Sequence, residues 1–261
     1  MNNDIATVIS SPRDGIVIQA RSGSTRMPSK ILRPFDGETR IIDIVIENIK
    51  RDAPGTTIVL ATTMNPADNV LEEIAVSHGV ECFRGSEDDV LDRFLGAADA
   101  FNLDRIVRVC SDNPFLQAST FRRMFEVQSA TGADYVGYCF PDGRPTIKSH
   151  LGLYAELATT AALRKAAAVA SETIYREHVT VYLYTHPEEF SVELMALPEF
   201  LQKRTDLRLT LDTPSDFKLL QELYHSHANT TDGSVKALID LVDANPEYGK
   251  IMKMNIEQNE K

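Results

Sequence analysis

Cysteine is scarce in this chain of 261 residues, with three in all. Cys82, Cys110 and Cys139 have no paired spacing, which excludes a disulfide framework. They read as reduced core thiols of a cytoplasmic protein. No apolar run approaches the length of a membrane span, and the N-terminus has no signal-peptide pattern. Positive charge is in deficit: 27 Lys and Arg against 38 Asp and Glu leave a net charge of -11. That balance excludes a general surface for nucleic acid polymers or anionic membranes. Two phosphate-binding signatures are missing as well. The loop at 20–30 has one glycine, and its Lys30 is followed by Ile31, so neither the Walker pattern nor G-x-G-x-x-G is present.

What is there suits a soluble globular protein: 43% hydrophobic and 25% charged residues. The length allows one large domain with a sizeable core. Strand-like and helix-like stretches alternate through the first half. Strands are predicted at 15–20, 57–63, 80–83 and 105–110, and helices at 40–50, 66–78, 87–101 and 119–130. Asn65 and Pro66 form a helix-start signal. This rhythm predicts an α/β fold on a mostly parallel sheet. Residues 1–14 read as a flexible leader and 15–261 as a single domain. The rhythm breaks near residue 137, and 138–200 reads as an insertion or subdomain on the main sheet. It is predicted to hold a strand at 151–157, helices at 159–170 and 173–185, and a strand at 191–197. Residues 207–211, LRLTL, return to strand character. Helices at 214–228 and 235–242 close the reading.

The net acidity makes one stretch conspicuous. Between Gly15 and Phe35 there are four cations, Arg21, Arg26, Lys30 and Arg33, and no carboxylate. In an open α/β sheet, ligands bind beyond the carboxyl ends of the strands, where residues 20–30 would lie. Gly23 permits close backbone approach, and Ser22, Ser24 and Thr25 add hydroxyl donors. The set suits a polyphosphate; a solvated loop without a ligand is the plainer alternative.

Two aspartates share a setting. Each follows an apolar run and precedes proline by two positions, in Asp112-Asn113-Pro114 and Asp212-Thr213-Pro214. Together they could hold Mg²⁺ with substrate phosphates and water. Equally, Asp212 could cap the helix opening at Pro214, and Asp112 could close a turn.

The run IQARSGSTRMPSK (18–30) resembles the signature loop of sugar-activating cytidylyltransferases. These are the CMP-Kdo and CMP-sialate synthetases and, most closely, the family of spore coat polysaccharide biosynthesis protein F. The likeness continues in CFRGSEDDVLDRF (82–94), CSDNPFL (110–116), REHVTVYL (176–183) and DLRLTLDTPSDF (206–217). It implies a Rossmann-like sheet of the nucleotide-diphospho-sugar transferase type with an inserted α+β subdomain. It implies that Ala20, Arg21, Gly23, Ser24, Arg26 and Lys30 bind the CTP triphosphate, with Arg21 and Lys30 catalytic. Arg84 and Ser86 would meet the base, although Ser86 could instead cap the following helix with Asp89. Asp112 and Asp212 would hold Mg²⁺. Glu156, Arg176 and His178 would contact the acceptor, although a plain helix-face histidine is the other reading of His178. Relatives often carry an acid where this chain has Tyr154, which leaves the acceptor open.

The activity so implied is transfer of CMP from CTP to a hydroxyl of an acidic sugar, nonulosonate- or Kdo-like. Pyrophosphate would leave, and the product would serve polysaccharide or glycan biosynthesis. The resemblance also implies a homodimer built through 138–200. Two other functions compete: a GT-A type glycosyltransferase and a non-catalytic nucleotide-binding relative. The first usually carries D-x-D, where this chain reads Ser111-Asp112-Asn113. Against the second stand all four of Arg21, Lys30, Asp112 and Asp212.

Overall fold

A computed structural model describes residues 11–259. Its first strand, β1 (Asp14–Gln19), carries β-branched Ile16, Val17 and Ile18, all fully buried. A strand buried on both faces reads as a continuous apolar run and belongs at the centre of a parallel sheet. The leader predicted for 1–14 lies mostly outside the described residues, but Asp14 already belongs to β1.

A small hairpin follows, β2 (Pro34–Asp36) and β3 (Thr39–Arg40). Next come α1 (Ile41–Asp52), β4 (Thr57–Thr63), α2 (Asn69–His78) and β5 (Glu81–Gly85). The chain continues as α3 (Val90–Phe101), β6 (Arg105–Cys110), α4 (Phe121–Thr131) and β7 (Tyr135–Cys139). Then follow β8 (Glu156–Thr159), α5 (Thr160–Val169), α6 (Thr173–Glu177), α7 (Val181–Thr185) and β9 (Val192–Ala196). Three helices end the fold: α8 (Pro214–Ala228), α9 (Val235–Ala244) and α10 (Pro246–Gln258).

Seven strands form one sheet in the order β5-β4-β1-β6-β8-β7-β9. The β5-β4-β1-β6 half is parallel, β8 runs antiparallel to both its neighbours, and β7 pairs parallel with β9. The region 138–200 thus supplies β8 and β9 to the main sheet. Side chains alternate across the pleat and create two cores. Ile16, Ile18 and Leu60 meet α1, α8 and α9 on one face. Val17, Val59 and Ala61 meet α3 and α5 on the other.

Four local expectations need correction. Residues 207–211 are extended but join no ladder: Leu209 N donates to the His150 carbonyl at 2.8 Å, and Leu211 N to that of Asp112 at 3.1 Å. The helix expected over 173–185 is two short pieces, α6 and α7, broken at His178. The strand expected at 151–157 begins only at Glu156. The helix at 235–242 is not the last, because Asn245 caps α10 through Glu247 N and Pro246 occupies its first position.

Candidate active site

The site begins with register. Gln19 at the end of β1 pairs with Cys110 at the end of β6. Parallel neighbours that end level send both following loops to one edge of the sheet. The loop after β1 is closed by Ser29 N donating to the Ser22 carbonyl at 2.9 Å. Its start is pinned by Ser22 N, which donates to an Asp68 oxygen at 2.7 Å. Asp68 itself is buried, and the other oxygen accepts from the Thr63 hydroxyl. The bond from Leu211 N to the Asp112 carbonyl brings the third segment alongside.

Three segments distant in sequence therefore converge on one ammonium. Lys30 Nζ donates to Asp112 Oδ2 at 2.7 Å and to the Leu211 carbonyl at 2.5 Å. Asp212 Oδ1 accepts from the same nitrogen at 3.4 Å. Burial alone would lower the Lys30 pKa, but the charges of Asp112 and then Asp212 outweigh it and hold it above its ordinary range. Arg26 Nη2 lies 3.3 Å from Asp212 Oδ1. Asp212 does not cap α8. That role falls to Thr213, whose hydroxyl accepts from Asp216 N at 3.1 Å. Asp212 is oriented instead by Arg208, whose Nη2 donates to Oδ2 at 3.2 Å.

A cavity of about 580 Å³ opens above this cluster. Arg21, Gly23, Ser24, Arg26, Lys30, Asp112, Asp212 and His178 all line it. Ala20 lies just beneath, buried, with its N–H on the Ala61 carbonyl at 3.2 Å. Four other residues expected at the site are placed elsewhere. Arg84 is spent on the carbonyls of Thr63 and Asn65, at 2.9 and 3.0 Å, and on Glu72. Ser86 Oγ accepts from Asp89 N at 3.0 Å, but Asp89 is the α3 cap, accepting from Asp92 N. Arg176 donates to Asp89 and to the Ala167 carbonyl. Glu156 is only 2% exposed and accepts from Arg108, Tyr135 and Thr180 at 2.7, 2.8 and 2.9 Å. Both of its oxygens are thus engaged, and it does not line the cavity.

Sequence reasoning missed several wall residues. Arg108 lines the cavity at 7% exposure and donates to Gln19 Oε1 at 3.2 Å, but its Nε has no hydrogen-bond partner. Asn113 Oδ1 and Thr210 Oγ1 are also buried and unpaired, and both residues line the same cavity. Unpaired buried polar atoms are costly and mark places where a ligand or water completes the bonding. An arginine inside the apolar run RIVRVC was the available signal for Arg108. Tyr154 lines the cavity with its ring 4.4 Å from that of Tyr138.

The carboxylates also answer whether a metal suits this edge. Asp112 and Asp212 already share one cation, Lys30, at 2.7 and 3.4 Å. Among the described residues, no group of three or more His, Cys, Asp or Glu could enclose a metal. Two hard oxygen donors without a full cage fit a cation that completes its shell with phosphate and water.

Residues 16–238 match the family model described as cytidylyltransferase. The chain belongs to the cytidylyltransferase family. Among relatives of this cytidylyltransferase is an uncharacterised protein of Methanocaldococcus jannaschii, 39% identical over 242 residues, covering 93% of this chain and 95% of that one. Another is the spore coat polysaccharide biosynthesis protein SpsF of Bacillus subtilis, 33% identical, covering 88% and 94%. A solved cytidylyltransferase from Leptospira borgpetersenii serovar Hardjo-bovis superposes with a TM-score of 0.80 at 31% identity, covering 91% of this chain and 97% of that one. The family expected from the loop and its companion segments is thus the family found, on the α/β sheet expected of it. No helix among the described residues is long and apolar enough to cross a membrane.

Proposed function

We propose that this cytidylyltransferase moves CMP from CTP to a hydroxyl of an acidic sugar, nonulosonate- or Kdo-like, and releases pyrophosphate. The product would feed surface polysaccharide or glycan assembly, as the name of the Bacillus relative suggests for that protein. The observation that carries the reading is the convergence of Lys30, Asp112 and Asp212 under a basic loop at one cavity edge.

The chemistry follows from the charges. Arg21, Arg26 and Lys30 hold the triphosphate, with the Gly23 N–H and the hydroxyls of Ser24 and Thr25 completing the cradle. Lys30 leaves the carboxylates for phosphate oxygens as the nucleotide enters. Asp112 and Asp212 would hold Mg²⁺, which would supply charge neutralisation on the phosphates and a lowered pKa for the attacking hydroxyl. The acceptor oxygen forms its bond to the α-phosphorus as the bond to pyrophosphate breaks, and no protein nucleophile is needed. Arg21 and Lys30 counter the charge that builds on the leaving group. The acceptor occupies the wall of Arg108, Tyr154, His178 and Thr210, with exposed Lys148 at the rim for its carboxylate. We place the enzyme in the cytoplasm, where CTP is available, as a homodimer built through 138–200.

Pyrophosphate release tests this reading. The protein is mixed with CTP, Mg²⁺ and a panel of sugar acids including Kdo and N-acetylneuraminate. Turnover with at least one sugar acid is expected. Turnover confined to neutral or phosphorylated acceptors would remove the acidic sugar, and hydrolysis of a nucleotide sugar would favour the glycosyltransferase.

A further inference from the structure

Helix α10 lies beyond residue 238, where the match to the family ends, yet its C-terminal end reaches the basic loop. Asn259, the residue after the helix, accepts from Arg26 Nη1 through Oδ1 at 2.7 Å. The amide of Asn259 is itself oriented, because its Nδ2 donates to the Asn255 carbonyl at 2.9 Å. That bond turns the acceptor oxygen towards Arg26.

The helix is fixed to the site by a second contact. Asn255 is 3% exposed, and its Nδ2 donates to Asp216 Oδ1 at 2.9 Å. The other oxygen of Asp216 accepts from Asp212 N at 3.0 Å. Fully buried Met252 anchors the same helix in the core. Asn259 is therefore held in register with Asp212, and Arg26 bridges the two. The Arg26 side chain is 52% exposed. An exposed arginine without such contacts samples many rotamers and loses that freedom when a phosphate arrives. Asn259 takes Nη1 and Asp212 lies 3.3 Å from Nη2, so the guanidinium is held in place with its Nε and outer N–H donors left for an anion.

We propose that Asn259 is a positioning residue for the triphosphate: it holds Arg26 over the anionic end of the site before the nucleotide binds. The proposal rests on the nucleotide reading above. It concerns the outer phosphates and leaves the base and α-phosphate untouched.

Calorimetric titration with CTP and with CMP, each with Mg²⁺, tests it on wild type, Asn259→Ala, Arg26→Ala and the double variant. Asn259→Ala is expected to bind CTP about 3- to 10-fold more weakly, the range for one long side chain that must now be ordered on binding. Its CMP affinity should match that of wild type. The double variant should bind CTP no more weakly than Arg26→Ala alone, because Asn259 acts through Arg26. Equal weakening of CMP and CTP would show a merely structural helix end and overturn the proposal. Unchanged CTP affinity in Asn259→Ala would overturn it while leaving the nucleotide reading intact. Failure of the wild type to bind CTP would overturn both.

Discussion

Lys30 and Asp112, 82 positions apart in the chain, meet at 2.7 Å at the carboxyl edge of the sheet. The contact joins the loop after β1 to the loop after β6, and Asp212 joins the same ammonium from a third segment. Removing the ammonium takes away a charge from the proposed triphosphate site and leaves the carboxylates of Asp112 and Asp212 without it. Lys30→Ala is expected to lower turnover about 100- to 1000-fold, the usual loss for one well-placed donor to developing charge. Steady-state pyrophosphate release with the working acceptor measures it, and a rate within about threefold of wild type contradicts it.

Arg108 and Glu156 face each other in direct register across β6 and β8. Both are almost fully buried. Breaking one side of such a pair strands a buried charge, so Arg108→Met is expected to cost about 3–5 kcal/mol. Adding Glu156→Gln should recover most of that loss, since no buried charge then remains and Gln can still accept from Tyr135 and Thr180. Urea denaturation of the four proteins gives the coupling. Strictly additive losses would show that the pair is not an energetic unit.

Gly152 lines the same cavity as Lys30 and sits at φ +64°. A Cβ there would stand 2.9 Å from the Leu209 carbonyl carbon and oxygen and 3.0 Å from Thr210 N. Those are backbone atoms of the segment that carries Thr210 and Asp212, so they cannot give way cheaply. Gly152→Ala should cost at least about 2 kcal/mol and weaken nucleotide binding. Gly37→Ala is the control. It has a similar φ of +56° and open space around it, so only the conformational cost of about 1 kcal/mol applies. Equal effects at the two positions would contradict the packing argument.

Acid should destabilise the fold. Burial alone would raise the Asp216 carboxyl, but hydrogen bonds and charge from Arg208 outweigh it and hold its pKa below the usual range. Asp68 behaves alike: burial opposes, and bonds from Ser22 and Thr63 prevail. A carboxyl depressed in the folded state contributes stability above its unfolded pKa, about 3.9, and loses it as pH falls through the folded value. Melting temperature is therefore expected to change little from pH 7 to about 5 and to fall steeply below about 4. A melting temperature that holds steady or rises from pH 5 to pH 3 would contradict this.

The central parallel strands β4, β1 and β6 were legible because they are buried on both faces. TIVLATT and RIVRVC are apolar runs with sharp ends, and β4 and β6 begin and end where those runs do. The basic loop was legible as charge against an acidic background. What the sequence hid is set by pairing across distance. Glu156 looks like a free acid in GLYAEL, and only the β6–β8 register shows it bound to Arg108. LRLTL has the alternation of a strand, yet it lies between the 150 and 112 segments with single hydrogen bonds to each. Arg84 lies inside CFRGSEDDVLDRF, a run read for its resemblance to the family, but its guanidinium closes the turn after β4. Helix α10 offers a weak apolar stripe, and the asparagines that tie it to the site resemble ordinary surface residues.

In the proposed function, this edge of the sheet binds a cytidine triphosphate together with a divalent cation. The most direct test is thermal denaturation with each of the four ribonucleoside triphosphates, with and without Mg²⁺. A ligand that binds only the folded state raises the melting temperature. The account predicts a Mg²⁺-dependent rise selective for CTP, lost in Asp212→Asn. No rise with any triphosphate, at concentrations far above a working affinity, would contradict it.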